Sequence, residues 1–179
     1  MSEIAALFAN LLAGEDGKTA ALAEAQALNP ALLRILGWQI VEALVPDYLK
    51  EHEFWQAAGW QKNSCPICGR EPVLAHLRKE KEGRARFLVC GGCHTEWPFA
   101  RLGCPYCGND DLQKIHILEP EDLPAMRLDV CDACHSYIKT YNEEGQEDVF
   151  LTDWATMHLD MAGEEYGCRK KGSVLLESK

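Results

Sequence analysis

Cys65-Pro-Ile-Cys68-Gly69 returns further along the chain as Cys104-Pro-Tyr-Cys107-Gly108, and Cys90-Gly-Gly-Cys93-His94 returns as Cys131-Asp-Ala-Cys134-His135. The segment 65–93 is therefore repeated at 104–134, offset by 39 residues at its first cysteine (104 − 65) and by 41 at its last (134 − 93). Eight thiols in two matching sets of four form a ligand inventory for two tetrahedral metal ions. Consecutive pairing follows from the repeat, with Cys65, Cys68, Cys90 and Cys93 in one set and Cys104, Cys107, Cys131 and Cys134 in the other; an interleaved arrangement is the alternative.

Outward from each knuckle the pattern turns to strands. Pro72–Arg78, a polar turn at Lys79–Gly83 and Arg84–Val89 read as a hairpin. Leu112–Leu118 and Arg127–Val130 form a second one around residues 119–124. A further strand follows each set, at Thr95–Ala100 and Ser136–Tyr141. A two-stranded ribbon buries too little apolar surface to fold alone, so a metal must supply the difference. Four cysteines close the tetrahedron and leave no position for an activated water, which makes the sites structural rather than catalytic. Gly69 and Gly108 each follow a knuckle, where the lack of Cβ permits the turn that aims amide N–H groups at sulfur. An all-sulfur tetrahedron suits zinc and a single iron alike, and chemistry alone leans to zinc in an aerobic cell.

Residues 1–60 read as helical. Ile4, Leu7, Phe8, Leu11 and Leu12 share one face, and an Ala-rich helix runs from Lys18 to Leu28. Asn29-Pro30 starts another with Leu33, Leu36, Ile40 and Leu44 as one face, and Pro46 bends that helix or opens a further one through Tyr48, Leu49, Phe54 and Trp55. Beyond an acidic turn at 143–148, Thr152 or Asp153 is read as the N-cap of a helix from Trp154 to about Glu165. Trp154, Met157 and Met161 lie on one face of it, and Gly167 ends it. Arg169-Lys-Lys171 is read as a mobile tail. The fold class is thus α+β: a helical region (1–60), a tandem four-cysteine domain (61–142, divided 61–101 and 102–142), then a turn, helix and tail (143–179).

The net charge is −10, from 28 acidic and 18 basic side chains. Two all-thiolate divalent sites would take it to −14 (−10 − 8 + 4). Such a chain is ill suited to nucleic acid, whose phosphates need Lys and Arg, and fits an electropositive protein segment better. No run approaches the roughly 18–20 apolar residues of a membrane span. Met1-Ser-Glu-Ile-Ala lacks the basic start of a signal peptide, so a cytoplasmic location is expected. In reducing cytosol, closely paired cysteines are metal ligands or redox centres rather than disulfides.

Three motifs are set aside. The two Cys-x-x-Cys-His strings match haem attachment, but that reading strands the Cys-Pro-x-Cys-Gly pairs in register with them. Gly17-Lys18-Thr19 ends like a phosphate-binding loop, yet Leu12 stands where its first glycine is required. Arg78–Arg86, with five cations and two anions, reads as a solvated hairpin tip. His76 and His116 read as strand residues, His94 and His135 as lying beside the metal or in solvent, and Cys168 as a bystander thiol. No nucleophile–base–orienter set is present, so no enzyme is indicated.

The order of motifs resembles a known family. Asn63-Ser-Cys65-Pro-Ile-Cys68-Gly-Arg-Glu-Pro72, Cys90-Gly-Gly-Cys93-His-Thr-Glu-Trp97, Cys104-Pro-Tyr-Cys107-Gly, Cys131-Asp-Ala-Cys134-His-Ser-Tyr-Ile-Lys139 and Thr152-Asp-Trp-Ala-Thr-Met-His-Leu-Asp160 together look like the formate dehydrogenase accessory proteins, FdhE, over residues 58–168. The resemblance implies a cytoplasmic, non-catalytic maturation factor that binds the catalytic subunit of a formate dehydrogenase. It also implies rubredoxin-like modules, which favours iron over zinc. Family members carry a longer helical region before the first knuckle than the sixty residues here. Trp97, Tyr137 and Lys139 are read as exposed contacts for the client, the alternative being packing between ribbons. A rubredoxin-like electron carrier is the second functional reading, and a homodimer is left open.

Overall fold

The structure is a computed structural model that describes residues 3–81, 83–121, 123–142 and 149–172. The acidic turn expected at 143–148 and the chain beyond 172 lie outside these residues. Five helices open the chain: α1 (Glu3–Leu12), α2 (Asp16–Ala25), α3 (Pro30–Leu44), α4 (Asp47–Lys50) and α5 (His52–Ala57). Asn29 caps α3 by accepting from the Leu32 N–H, with Pro30 at the first helical position where no N–H is needed.

The two cysteine ribbons do not stand apart. β1 (Pro72–Glu80), β2 (Gly83–Cys90) and β3 (Glu96–Phe99) form the first, and β4 (Ile115–Leu118), β5 (Met126–Cys131) and β6 (Ser136–Tyr141) the second. They join in one sheet of order β3-β2-β1-β6-β5-β4, where β1 and β6 pair in parallel at Leu74–Lys139 through His76–Tyr141. Each module contributes third, second, first strand in that order, so the repeat is head to tail. Pro98 sits on β3 at the sheet edge, the place where a missing N–H is tolerated. Residues 112–114, expected as strand, form a short 3₁₀ turn, because the Asp111 carboxylate accepts from the Gln113 N–H.

The sheet separates two cores. One holds Leu11, Trp38, Val41, Leu88, Trp97, Ile138 and buried cysteines of both modules. The other holds Val73, Leu74, Val89, Leu128, Val130, Tyr137, Leu159 and Cys168. Leu88/Val89 and Tyr137/Ile138 alternate between them, as the two-residue strand period requires.

The structure decides the buried side of α3 and corrects two further expectations. On α3 the outer face is Leu36, Ile40 and Leu44, while Arg34, Gly37, Trp38 and Val41 turn inward. The helix is apolar around most of its circumference, and the bulk of Trp38 decides which side is buried. The C-terminal helix is two helices, α6 (Val149–Ala155) and α7 (Met157–Glu165), so Thr152 and Asp153 are interior to α6 rather than caps. The break follows from the Asp153 carbonyl, which accepts from the Lys139 ammonium at 2.9 Å instead of continuing the ladder, while the Thr156 hydroxyl donates back to the Thr152 carbonyl at 2.6 Å. Trp154, Met157 and Met161 are exposed, and α7 rests on the sheet through Leu159 and Gly163. Gly167 ends α7 as expected: its N–H bonds the Glu164 carbonyl and that of Cys168 the Gly163 carbonyl. The second correction concerns Arg169–Lys170, which form a strand, β7, parallel to the start of β6 rather than a tail.

Candidate metal centres

The four knuckles share one backbone form. The Cys65 and Cys104 N–H groups bond the carbonyls of Arg70 and Asn109, and the Gly69 and Gly108 N–H groups return to Cys65 and Cys104 at 3.0 Å. Gly69 and Gly108 have φ of +74° and +73°, and His94 and His135 occupy the same left-handed region at +56° and +50°. The residue after each second cysteine therefore turns left in all four, with glycine in two knuckles and histidine, a tolerated residue there, in the others. In the first module this turn carries His94 to α3, where its Nδ1 lies 3.1 Å from Glu42. His135 remains exposed.

These turns bring the thiols together in the two consecutive sets. The Sγ atoms of Cys65, Cys68, Cys90 and Cys93 lie within 4.8 Å of one another, as do those of Cys104, Cys107, Cys131 and Cys134. Sulfur–sulfur separations are 3.5 Å (Cys65–Cys93), 3.4 Å (Cys68–Cys90) and 3.6 Å (Cys68–Cys93) in the first. In the second they are 3.5 Å (Cys104–Cys134) and 3.8 Å (Cys107–Cys131). A tetrahedron with metal–sulfur bonds of about 2.3 Å has edges of about 3.8 Å, whereas a disulfide needs about 2.05 Å. All nine cysteines are free. The clusters fit tetrahedral ions and could hold two of them.

Donors converge on the sulfurs. The Ile67 and Gly92 N–H groups point at Cys65 and Cys90 at 3.4 and 3.3 Å. Two residues past the last cysteine of each set, the Thr95 hydroxyl meets Cys93 at 3.1 Å and the Ser136 hydroxyl meets Cys134 at 2.8 Å. Such bonds favour thiolate. The Cys93 thiol is held far below the ordinary thiol range by Cys65, Cys68 and Cys90, while burial, then hydrogen bonds within the set, push Cys90 up. Burial likewise pushes Cys134 up to about 12. The sulfurs of one cluster cannot all ionise unaided; a cation between them removes that conflict.

The centres differ in cover. In the first, Cys65, Cys90 and Cys93 are buried, and only Cys68 reaches partial exposure, beside a groove of about 390 Å³. Trp38 lies against the second knuckle so closely that a Cβ on Gly92 would come within 2.7 Å of its ring, and the Arg70 guanidinium stacks on it at 4.9 Å. Gly92→Ala is expected to cost about 1–3 kcal/mol by forcing that ring aside, which denaturant melts would read as a lower midpoint at unchanged slope. In the second centre Cys107 is exposed and Cys134 half-buried.

Trp97, Tyr137 and Lys139, expected to be exposed, are instead 0–1% exposed. The Trp97 indole donates to the Lys62 carbonyl at 2.8 Å within the first core. The Tyr137 hydroxyl donates to Asp160 at 2.8 Å, and the Lys139 ammonium donates to Asp153 at 3.0 Å and Asp160 at 2.9 Å. Lys170 completes this network on the same two carboxylates. The basic hairpin is also only partly solvated. Arg86 is buried, donating to the Gly103 carbonyl and pairing with Asp129 at 3.2 Å, and Arg78 pairs with Glu96 at 2.6 Å.

His76 and His116 lie on β1 and β4, away from both clusters. Burial, then the nearby Arg78, depress His76 to about 4. A histidine held below its unfolded value of 6.5 contributes stability that is complete above pH 6.5 and is lost as pH falls toward 4. Burial raises Glu96 and so opposes part of this on acidification. Between pH 7 and 5 a loss of about 2 kcal/mol is expected from His76, and His76→Phe should flatten the stability profile over that interval.

A seven-stranded sheet carrying two four-thiol knuckle clusters, with helices on both faces, defines a double cysteine-ribbon protein. Residues 64–101 match the profile of the FdhE central domain and residues 102–176 that of the FdhE C-terminal domain; the chain belongs to the FdhE family. Similar proteins include FdhE homologues from Aquifex aeolicus, 32% identical over 111 residues (60% of this chain, 39% of that one), and Pasteurella multocida, 31% over 123 (68% and 40%). The chain thus spans about two fifths of the length of these relatives. The crystal structure of the FdhE protein from Pseudomonas aeruginosa shares the fold, with a TM-score of 0.63 at 20% identity over 84% of this chain and 52% of that one.

Proposed function

We propose that this chain is a non-catalytic accessory protein of formate dehydrogenase assembly, acting in the cytoplasm by binding the enzyme's catalytic subunit. The observation that carries the reading is the pair of closed four-sulfur clusters set in the two FdhE domains. In it the eight cysteines ligate two metal ions that fix the ribbons, with iron favoured and zinc the alternative. The helical region 1–60, the tandem domain 61–142 and the segment 143–179 serve as its working parts, on the support of the repeat. Among the described residues no helix is long and apolar enough to cross a membrane, in keeping with a freely diffusing factor.

The test is co-purification. The chain, isolated with its metals, is expected to retain the catalytic subunit of a formate dehydrogenase from the same cells and to raise the yield of active enzyme when co-expressed. Enzyme that matures equally well without the chain, and no retention, would end the proposal. The exposure of Cys107 supports the second reading, an electron carrier, because a solvent-facing thiolate shortens the path to a redox partner. Reversible visible absorbance changes at a physiological potential would favour that alternative.

A further inference from the structure

Trp154, Met157 and Met161 are each more than half exposed. Met157 and Met161 are one helical turn apart, and Trp154 precedes them by three residues across the break at Thr156. Single exposed apolar side chains are ordinary on a protein surface, but an exposed methionine pair one turn apart on α7, with an exposed tryptophan just before it near the end of α6, is not. Methionine adapts its shape to different helices at low cost, which suits it to binding faces.

The charges around the stripe give the second observation. From Val149 to Glu165 there is no Lys or Arg, and there are four carboxylates. Asp153 and Asp160 are answered by Lys139 and Lys170. Glu164 and Glu165 stand three and four residues past Met161, continuing its face into the last turn of α7, which has no basic residue. Two carboxylates at a helix C-terminus oppose the macrodipole and cost the fold stability. A cation brought by a partner would reverse that cost.

We propose that the Trp154–Met157–Met161 face, ending in Glu164 and Glu165, docks an amphipathic helix of a partner protein whose apolar stripe is flanked by Lys or Arg. The inference rests on reading the chain as a binding protein, and it reaches beyond the client to the chemistry of what is bound.

Trp154 is the one exposed tryptophan of five, so it reports on its own face. Two synthetic helices with the same leucine stripe, one carrying Lys and one Glu on its polar side, serve as probes against the full chain. The Lys helix is expected to move Trp154 emission to the blue, a change missing in Trp154→Phe, and to bind about tenfold more tightly than the Glu helix. Met161→Glu should weaken it by about tenfold without lowering the melting temperature. Paired Glu164→Gln and Glu165→Gln changes should reduce the salt dependence. Equal binding of both helices, or Lys-helix binding untouched by Met161→Glu, would overturn the proposal. Trp154 emission already blue in the free chain would also overturn it, because the face would then be covered by this chain or a second copy. Loss of client retention with peptide docking intact would remove the client and leave the face, and the reverse pattern would do the opposite.

Discussion

Cys90→Ser is expected to leave a chain that does not fold, whereas Cys107→Ser leaves a folded protein that has lost metal from one centre. Both replace one ligand in four, so the difference lies in what surrounds them. Cys90 is fully buried in the core that joins Trp38 and Trp97 to both modules, and Cys107 faces solvent. Structural zinc contributes about 10–16 kcal/mol in small domains, comparable to the whole stability of about 5–15 kcal/mol for a native protein. Losing the first centre therefore unpins three ligands buried in that core, Cys65, Cys90 and Cys93, whereas the second centre buries Cys104 and Cys131 there but opens to the surface at Cys107 and Cys134. Circular dichroism and metal content should show no cooperative melt for Cys90→Ser. For Cys107→Ser they should show a melt with one metal retained. A chelator added to the native chain should likewise release metal in two phases, the second centre first. Identical behaviour of the two variants would mean that cover does not govern these sites.

Lys139→Met should cost about 3–5 kcal/mol, the penalty for removing one partner from a buried charge network. Its ammonium is the link between β6 and the α6–α7 break, bonding the Asp153 carbonyl and the carboxylates of Asp153 and Asp160. Without it, two acidic groups share Lys170 alone, and the Asp153 carbonyl keeps only a 3.4 Å contact with the Thr156 hydroxyl, which donates chiefly to Thr152. Asp153→Asn in the same chain should restore part of the loss, since the remaining charges then balance. Thermal melts of both singles and the double would measure the coupling. A single variant within about 0.5 kcal/mol of native would show that α6 and α7 are held by apolar contact alone.

The knuckles were legible in the sequence because a metal cage depends on short-range spacing: Cys-x-x-Cys fixes a turn, and the repeat fixes which turns pair. β6 could be read to the residue at Ser136–Tyr141 for the same local reason. The union of the ribbons through β1 and β6 could not, since a parallel pairing across more than sixty residues leaves no periodic trace. Hydrophobic periodicity finds an apolar stripe without saying what covers it, so it groups Leu36, Ile40 and Leu44 on α3, and Met157 and Met161 on α7, without saying which face is buried. On α3 a second stripe holding Trp38 wins the core, and on α7 small Gly163 and Leu159 do. Trp97, Tyr137 and Lys139 read as exposed contacts, yet the polar end of each has a partner inside the fold, which sequence alone does not reveal. The sequence also carries a hydroxyl, Thr95 or Ser136, two places after the fourth cysteine of each set, where it can reach sulfur.

Anaerobic purification followed by metal analysis and X-ray absorption at the metal edge bears most directly on the two four-sulfur cages. Two ions per chain are expected, each with four sulfurs at about 2.3 Å and no oxygen or nitrogen neighbour. One ion or none, a light-atom ligand in the inner shell, or sulfurs joined as disulfides would contradict the structure-holding role assigned to the eight cysteines.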